Sequence, residues 1–274
     1  MTKLSETGEL ALLAELERRG LIAGVEHDAA VVGGLVVTQD ALVEGVHFLL
    51  DRITWRELGF RSAAVNISDL AASGALPEAL FVGLALPGET ELDDALALYE
   101  GIAEAGVPVR GGDTTAAPVV CITVTALGRS ERVPGRAGAR PGDTLVVTGP
   151  LGAAGAAFRA GRYVRPPVRV DEGRELARTA HALMDVSDGL GADLAHIARR
   201  SGVRCVVELD RVPLGEGATV DDLGFGEDFE LLAAVPEPGR FTAIGRVEAG
   251  QGVELLLHGA PHAVSGWEHF ATGV

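Results

Sequence analysis

Lysine is almost missing from this 274-residue chain: of 23 basic residues, only Lys3 is a lysine. No P-loop lysine for gripping phosphate and no Schiff-base lysine can therefore exist outside the extreme N-terminus. Basic residues as a whole are outnumbered by 39 Asp and Glu, giving a formal charge of −16. That balance excludes a broad basic surface for nucleic acid or anionic lipid. Cysteine is nearly absent too. Cys121 and Cys205 cannot make a Cys-pair metal site, and both read as packed small hydrophobes. Every apolar run is interrupted by Pro, Gly or charge before it could span a bilayer, and the polar start from Met1 to Gly8 lacks a signal peptide's apolar core. The expectation is a cytoplasmic protein with no membrane partner.

What is present is apolar residue at 47% and 37 glycines, enough for a sizeable core with many tight turns, so a compact α/β protein is expected. Leu10, Leu13 and Leu16 share one face of a helix predicted from Glu9 to Arg19. A short strand is expected at Leu35–Val37, ending in Thr38-Gln39-Asp40. Thr54 and Glu57 form a capping box opening a long helix that carries Asn66, Ser68 and Asp69. Ala79–Leu86 reads as a strand, followed by a helix capped by Thr90. Two strands, Val107–Arg110 and Val119–Leu127, flank Gly111-Gly112-Asp113-Thr114-Thr115. Residues 129–143, rich in Arg, Gly and Pro, mark a boundary. Two α/β domains follow from it, 1–130 and 131–274. The second should hold strands near 145–147, 203–208, 230–235, 241–247 and 253–257.

One pattern recurs: an aspartate after an apolar strand or in a small-residue turn, at Asp28, Asp40, Asp113, Asp185 and Asp188, with Asp69 on a helix. For any one of them, turn and cap chemistry is explanation enough. As a set they would make a hard-oxygen site suited to Mg²⁺ with substrate phosphates as further ligands. Gly149-Pro150-Leu151-Gly152 follows a strand but departs from the G-x-G-x-x-G spacing, so helix–sheet packing explains its glycines better than a dinucleotide. Ser187, within Asp185-Val186-Ser187-Asp188-Gly189, is no nucleophile elbow; it either caps the next helix or bonds a phosphate. His47 is kept for its nearness to Asp40, while Trp267 either closes a core or stacks on a ligand.

Five segments, in order, resemble the thiamine-monophosphate kinase family: Thr38-Gln39-Asp40-Ala41-Leu42-Val43-Glu44-Gly45-Val46-His47-Phe48, Ala64-Val65-Asn66-Ile67-Ser68-Asp69-Leu70-Ala71-Ala72, Gly111-Gly112-Asp113-Thr114-Thr115, Met184-Asp185-Val186-Ser187-Asp188-Gly189-Leu190 and Gly226-Glu227-Asp228-Phe229-Glu230-Leu231. The likeness extends to Gly266-Trp267-Glu268-His269-Phe270. It implies the two-domain aminoimidazole ribonucleotide synthetase-like fold, an α/β (α+β) architecture whose N-terminal strands pair across a homodimer. It also implies phosphorylation of thiamine monophosphate by ATP with several Mg²⁺ ions. By motif match the metal ligands are Asp28, Thr38, Gln39, Asp40, Asp69, Asp113, Asp185 and Asp188, with Asp69, Asp113 and Asp185 the catalytic set. Gly112, Asp113, Arg136, Ser187 and Tyr99 would face the nucleotide, and His47, Glu227 and Trp267 the thiamine phosphate.

The chain departs from the family at His27, where an aspartate is usual, and at Gln39, where a Thr or Ser hydroxyl is usual. Phe225 precedes Gly226-Glu227 in place of the usual glycine, and the stretch 163–170 is shorter than in most members. A binding protein of the same superfamily that lost turnover through the His27 and Gln39 changes is the alternative. The hydrogenase-maturation and selenophosphate relatives would need a C-terminal cysteine or an N-terminal Cys–Lys pair, and neither is found here.

Overall fold

The computed structural model describes residues 3–22, 27–264, 266 and 267. Helix α1 (Leu4–Arg18) leads, bent at Gly8, whose φ of 76° no helix interior accommodates. Leu13 and Leu16 lie on its half-buried side, while the side chain of Leu10 falls outside the described set. The first sheet is built from β1 (Ala30–Val32), β2 (Leu35–Val43), β3 (Leu76–Leu86), β4 (Val109–Ala116) and β5 (Cys121–Arg129). Its order is β1-β2-β5-β3-β4. Only β3 and β4 run parallel in it, joined by α3 (Leu92–Glu104) as the crossover such a pair requires.

Helix α2 (Trp55–Ala72) opens with the expected reciprocal cap: Glu57 N–H donates to Thr54 Oγ1 at 3.2 Å, and Thr54 N–H donates to Glu57 Oε2 at 2.9 Å. Two glycines set its crossing with α3. A Cβ at Gly59 would lie 1.9 Å from Leu98 O, and one at Gly101 would lie 1.9 Å from Arg56 O, so the backbones touch directly.

The second sheet has seven strands in the order β12-β11-β8-β10-β6-β9-β7. These are β6 (Thr144–Val147), β7 (Ala182–Asp185), β8 (Arg204–Glu208), β9 (Leu231–Val235), β10 (Thr242–Glu248), β11 (Gly252–Leu257) and β12 (Ala260–Pro261). Helix α6 (Leu190–Ser201) lays Leu190, Leu194 and Ile197 on one face of this sheet, against Val207 and Val247. Short helices α4 (Ala153–Arg159) and α5 (Val170–Leu176) complete it. On the opposite face Leu183, Leu231 and Ala233 pack with Leu176 and with Ala71 and Ala72, the last turn of α2. Helix α2 is thus buried between both sheets, and this explains why 14 of its residues are buried.

Three local expectations need correction. Thr38, Gln39 and Asp40 do not follow a strand; they lie inside β2, which continues to Val43 because β5 pairs with it along its whole length. The glycine-rich 111–115 segment is not a turn between strands but the middle of β4, extended because β3 supplies its partners. Gly112 is required there: its φ is 152° and a Cβ would lie 1.8 Å from Val82 O. Helix α3 is preceded by Glu91 rather than Thr90, with no side-chain cap. Of the cysteines, Cys205 is in the core as expected, while Cys121 is only half-buried on β5.

Candidate active site

A cavity of about 890 Å³ opens between the two sheets beside α2. Strand alternation decides which β2 side chains reach the helix. Val36, Thr38 and Leu42 are buried on the α2 side and Asp40 shares their parity, whereas Gln39 is exposed on the other face and bonds Thr125 at 2.9 Å. Helical spacing does the same for α2. Arg61, Val65 and Asp69 recur every fourth residue, and all three line the cavity.

Thr38 Oγ1 donates to Asp69, bridging β2 and α2. Asp40 N–H donates to Asn66 Oδ1 at 3.0 Å, and the Asn66 amide in turn donates to Ser62 O at 3.0 Å. Ser68 Oγ donates to Asp185 Oδ2 at 2.5 Å, joining α2 to the end of β7. Arg136 grips Asp28 Oδ1 with Nε at 2.7 Å and Nη2 at 2.6 Å. The cavity therefore collects Asp28, Asp40, Asp69, Asp185 and Asp188 from four separate segments of the chain.

Crowding these carboxylates out of water raises their proton affinity. Burial pushes Asp40 up to about 6, with the charges of Asp28, Glu227 and Asp188 adding to it. Asp185 rises to about 8, from burial first and the Asp28 charge second. Burial and the charges of Asp40, Asp185 and Asp28 hold Asp69 well above the usual carboxylate range. Asp28 is raised by burial despite Arg136. Such a group is short of positive charge. Among the described residues no three His, Cys, Asp or Glu side chains form a ready-made metal cage. The donors are all hard oxygens around shared space, which fits Mg²⁺, an ion that keeps waters and substrate phosphates among its ligands.

The remaining wall is different in kind. Phe48, Leu49, Ile53, Phe158, Phe225 and Phe229 supply apolar surface, with the Phe158 and Phe225 rings 5.1 Å apart. His47 accepts a hydrogen bond at Nδ1 from Val43 N–H at 3.0 Å, so the neutral ring carries its proton on Nε2. Glu227 reaches Arg61 on α2. Trp267 is 39% exposed at the cavity edge, and its backbone N–H donates to Asp188 O at 2.9 Å. It does not close a core. Glu268, His269 and Phe270, expected to continue its motif, lie outside the described residues.

Ser187 lines the cavity and does not cap α6, whose first turn is preceded by Gly189 with no side-chain cap. Gly112, Asp113 and Tyr99 are not brought to this cavity. Asp113 sits on the exposed edge strand β4, in register through Gly83 and Thr123 with Ala41. Three strand spacings, roughly 14 Å, separate it from β2. Tyr99 on α3 packs against the first sheet's core. His27 packs on Gly135, and its buried Nδ1 has no hydrogen-bond partner among the described residues. Arg61 was the residue that motif reading passed over, although its spacing from Asp69 was a visible signal.

Two matched families of domain define the class. Residues 26–130 match the AIR synthase related protein N-terminal domain and residues 140–258 the corresponding C-terminal domain. The chain is 32% identical to a thiamine-monophosphate kinase of Aquifex aeolicus over 98% of its own length and 100% of that protein's. It is 36% identical to a thiamine-monophosphate kinase of Pyrococcus horikoshii, covering 87% of each. A solved structure described as AaThiL complexed with AMPPCP and TMP superposes with a TM-score of 0.90 at 32% identity, covering 98% of this chain and 99% of that one. The chain belongs to the thiamine-monophosphate kinase family. Among the described residues, no helix is long and apolar enough to cross a membrane.

Proposed function

We propose that this chain transfers the γ-phosphoryl group of ATP to the phosphate of thiamine monophosphate, giving thiamine diphosphate and ADP. The observation that carries the reading is the cavity itself: converging aspartates share it with an apolar, aromatic wall bearing His47, Glu227 and Trp267. Family membership points the same way, and a binding protein without turnover is not favoured by relatives whose names are those of kinases.

The chemistry brings two phosphate chains together, and the protein has no cavity lysine to neutralise them. Asp28, Asp40, Asp69, Asp185 and Asp188 would hold Mg²⁺, with the Thr38 hydroxyl beside them. Mg²⁺, when bound, supplies the positive charge that offsets the phosphates. Arg136 offers a planar fork of donors; in the structure Asp28 occupies it, and a polyphosphate oxygen is the natural competitor. Ser187 bonds the nucleotide from the loop after β7. His47 presents Nε2–H to the acceptor, and Trp267 stacks on the thiazolium cation. A phosphate oxygen of thiamine monophosphate attacks the γ-phosphorus, the bond to the β-phosphate oxygen breaks, and ADP leaves with that electron pair. No nucleophile activated by a neighbouring base stands among the cavity residues, so the transfer is direct.

Residues 1–130 and 131–274 act as two domains in this scheme, the first also the dimerisation unit. Gln39 and Asp113 both face the open side of the first sheet, and β4 is an exposed edge. A homodimer closing that side would bring Asp113 and Gly112 of a second copy toward Gln39, whereas Asp40 and Tyr99 lie on the α2 side of the sheet. The proposed location is the cytoplasm, where ATP is at hand. The direct mechanism is tested with ATP made chiral at a γ-thiophosphate. Inversion at phosphorus is expected; retention, or a radiolabelled protein trapped after ATP alone, overturns it.

A further inference from the structure

Arg61 is an oddity of α2. Its side chain is 8% exposed, deep in a helix whose neighbours Leu58, Val65 and Ala64 are apolar and buried. A buried arginine costs several kcal/mol unless paired, and breaking such a pair costs more than forming it gains. Its partner is Glu227, on a loop far away in sequence. That loop is held in an unusual shape. Glu227 and Phe229 have φ values of 63° and 51°, which non-glycine residues rarely adopt. Glu227 N–H donates to Ser187 O at 2.8 Å and Phe229 N–H to Val186 O at 2.9 Å, so the 185–189 loop fixes its backbone. An Arg61 Nη2–H fixes one oxygen of its carboxylate. Tyr163 stands nearby, lining the same cavity, with a buried hydroxyl that has no partner among the described residues.

We infer that Arg61 is a positioning residue that aims the Glu227 carboxylate at the amino group of the substrate's pyrimidine ring, and so sets specificity for the amino form of the acceptor. This rests on the proposed reaction. In thiamine monophosphate the 4-amino group is the one N–H donor, and a carboxylate is its natural acceptor. Arg61 leaves Glu227 one oxygen for that bond while holding the other. Burial raises the Glu227 proton affinity, and Arg61 is the first group opposing it. Without the guanidinium, nothing on α2 holds the carboxylate in that orientation. The Tyr163 hydroxyl gives the ring a second polar neighbour on the same side.

The test compares thiamine monophosphate with its oxo analogue, in which a carbonyl replaces the amine, using wild type, Arg61→Met, Arg61→Lys and Glu227→Gln. A site built around a buried hydrogen bond discriminates strongly, so wild type should prefer the amine by about a hundredfold or more in kcat/KM. Arg61→Met should bring the preference below about tenfold, raising KM for thiamine monophosphate while KM for ATP stays within about twofold. Arg61→Lys, which keeps a cation within reach of Glu227, should recover part of the preference. Arg61→Met with Glu227→Gln should lose no more than either change alone. An unchanged preference in Arg61→Met, or equal loss for both substrates, overturns the inference. If Arg61→Met fails to fold, Arg61→Lys and Glu227→Gln decide it by the same ratio. A wild type that phosphorylates neither compound overturns the proposed reaction instead.

Discussion

Ser68 and Asp185 are 117 residues apart in the chain, yet the serine hydroxyl donates to the aspartate at 2.5 Å inside the buried seam between the two sheets. The bond does two things. It fixes β7 against α2, and it favours the ionised form of a carboxylate that burial and the Asp28 charge push up to about 8 even with this bond in place. Ser68→Ala should therefore lower kcat/KM by about tenfold or more, since a lost bond to a charged group is worth about 1.5–3 kcal/mol. The loss should shrink as pH rises well past 8, where Asp185 ionises even without the serine. A pH-independent loss would mean that Ser68 serves packing alone.

Asp69→Asn and Asp113→Asn should each lower turnover by about a hundredfold or more with the fold retained, because each removes a carboxylate that would hold the Mg²⁺ offsetting the charge of the transferring phosphate. The two variants differ in one respect. If Asp113 acts on a neighbouring copy, dimers reassembled from both variants contain one intact site and recover a substantial part of wild-type activity. Recovery on mixing, followed by assay and checked by sedimentation for a dimer, is the expected result. No recovery would mean that Asp113 does not act on a neighbouring copy.

The raised aspartates make stability depend on pH with a definite sign. Asp185 is raised to about 8 and Asp69 well above the usual carboxylate range, so from the usual carboxylate range up to about pH 8 the folded state binds more protons than the unfolded one. Stability then falls as pH rises. His196, lowered to about 4 by burial, acts oppositely below about 6.5, so the window from pH 6.5 to 8.5 isolates the aspartates. In chelator the melting temperature should drop across that window. Mg²⁺ binds only ionised ligands, so its stabilising effect should be larger at pH 8.5 than at 6.5. A melting temperature that rises with pH in chelator would contradict the aspartate cluster.

Much of the architecture was readable because local signals agreed with the tertiary ones. The Thr54–Glu57 capping box opens α2 where expected, and the apolar runs at 79–86, 145–147 and 253–257 all lie in strands. Failure came where pairing overrode composition. Gly111 to Thr115 reads as a turn by residue type, and β3 draws it into an edge strand. Asp40 reads as a strand end, and β5 extends the strand past it. The ordered motifs pointed to most of the cavity residues, but motif order carries no information about which face a strand residue takes. Gln39 lies opposite Thr38 and Asp40 for that reason alone. Arg61 lay outside the motifs, and its role depends on a loop contact across 166 residues.

The most direct measurement incubates the purified chain with ATP, Mg²⁺ and thiamine monophosphate and follows both products, the thiamine species by mass spectrometry and ADP by a coupled assay. Thiamine diphosphate should appear in a one-to-one ratio with ADP, and both should be absent without Mg²⁺. ADP with inorganic phosphate and unchanged thiamine monophosphate, or tight binding of both substrates with no product, would contradict the kinase reading.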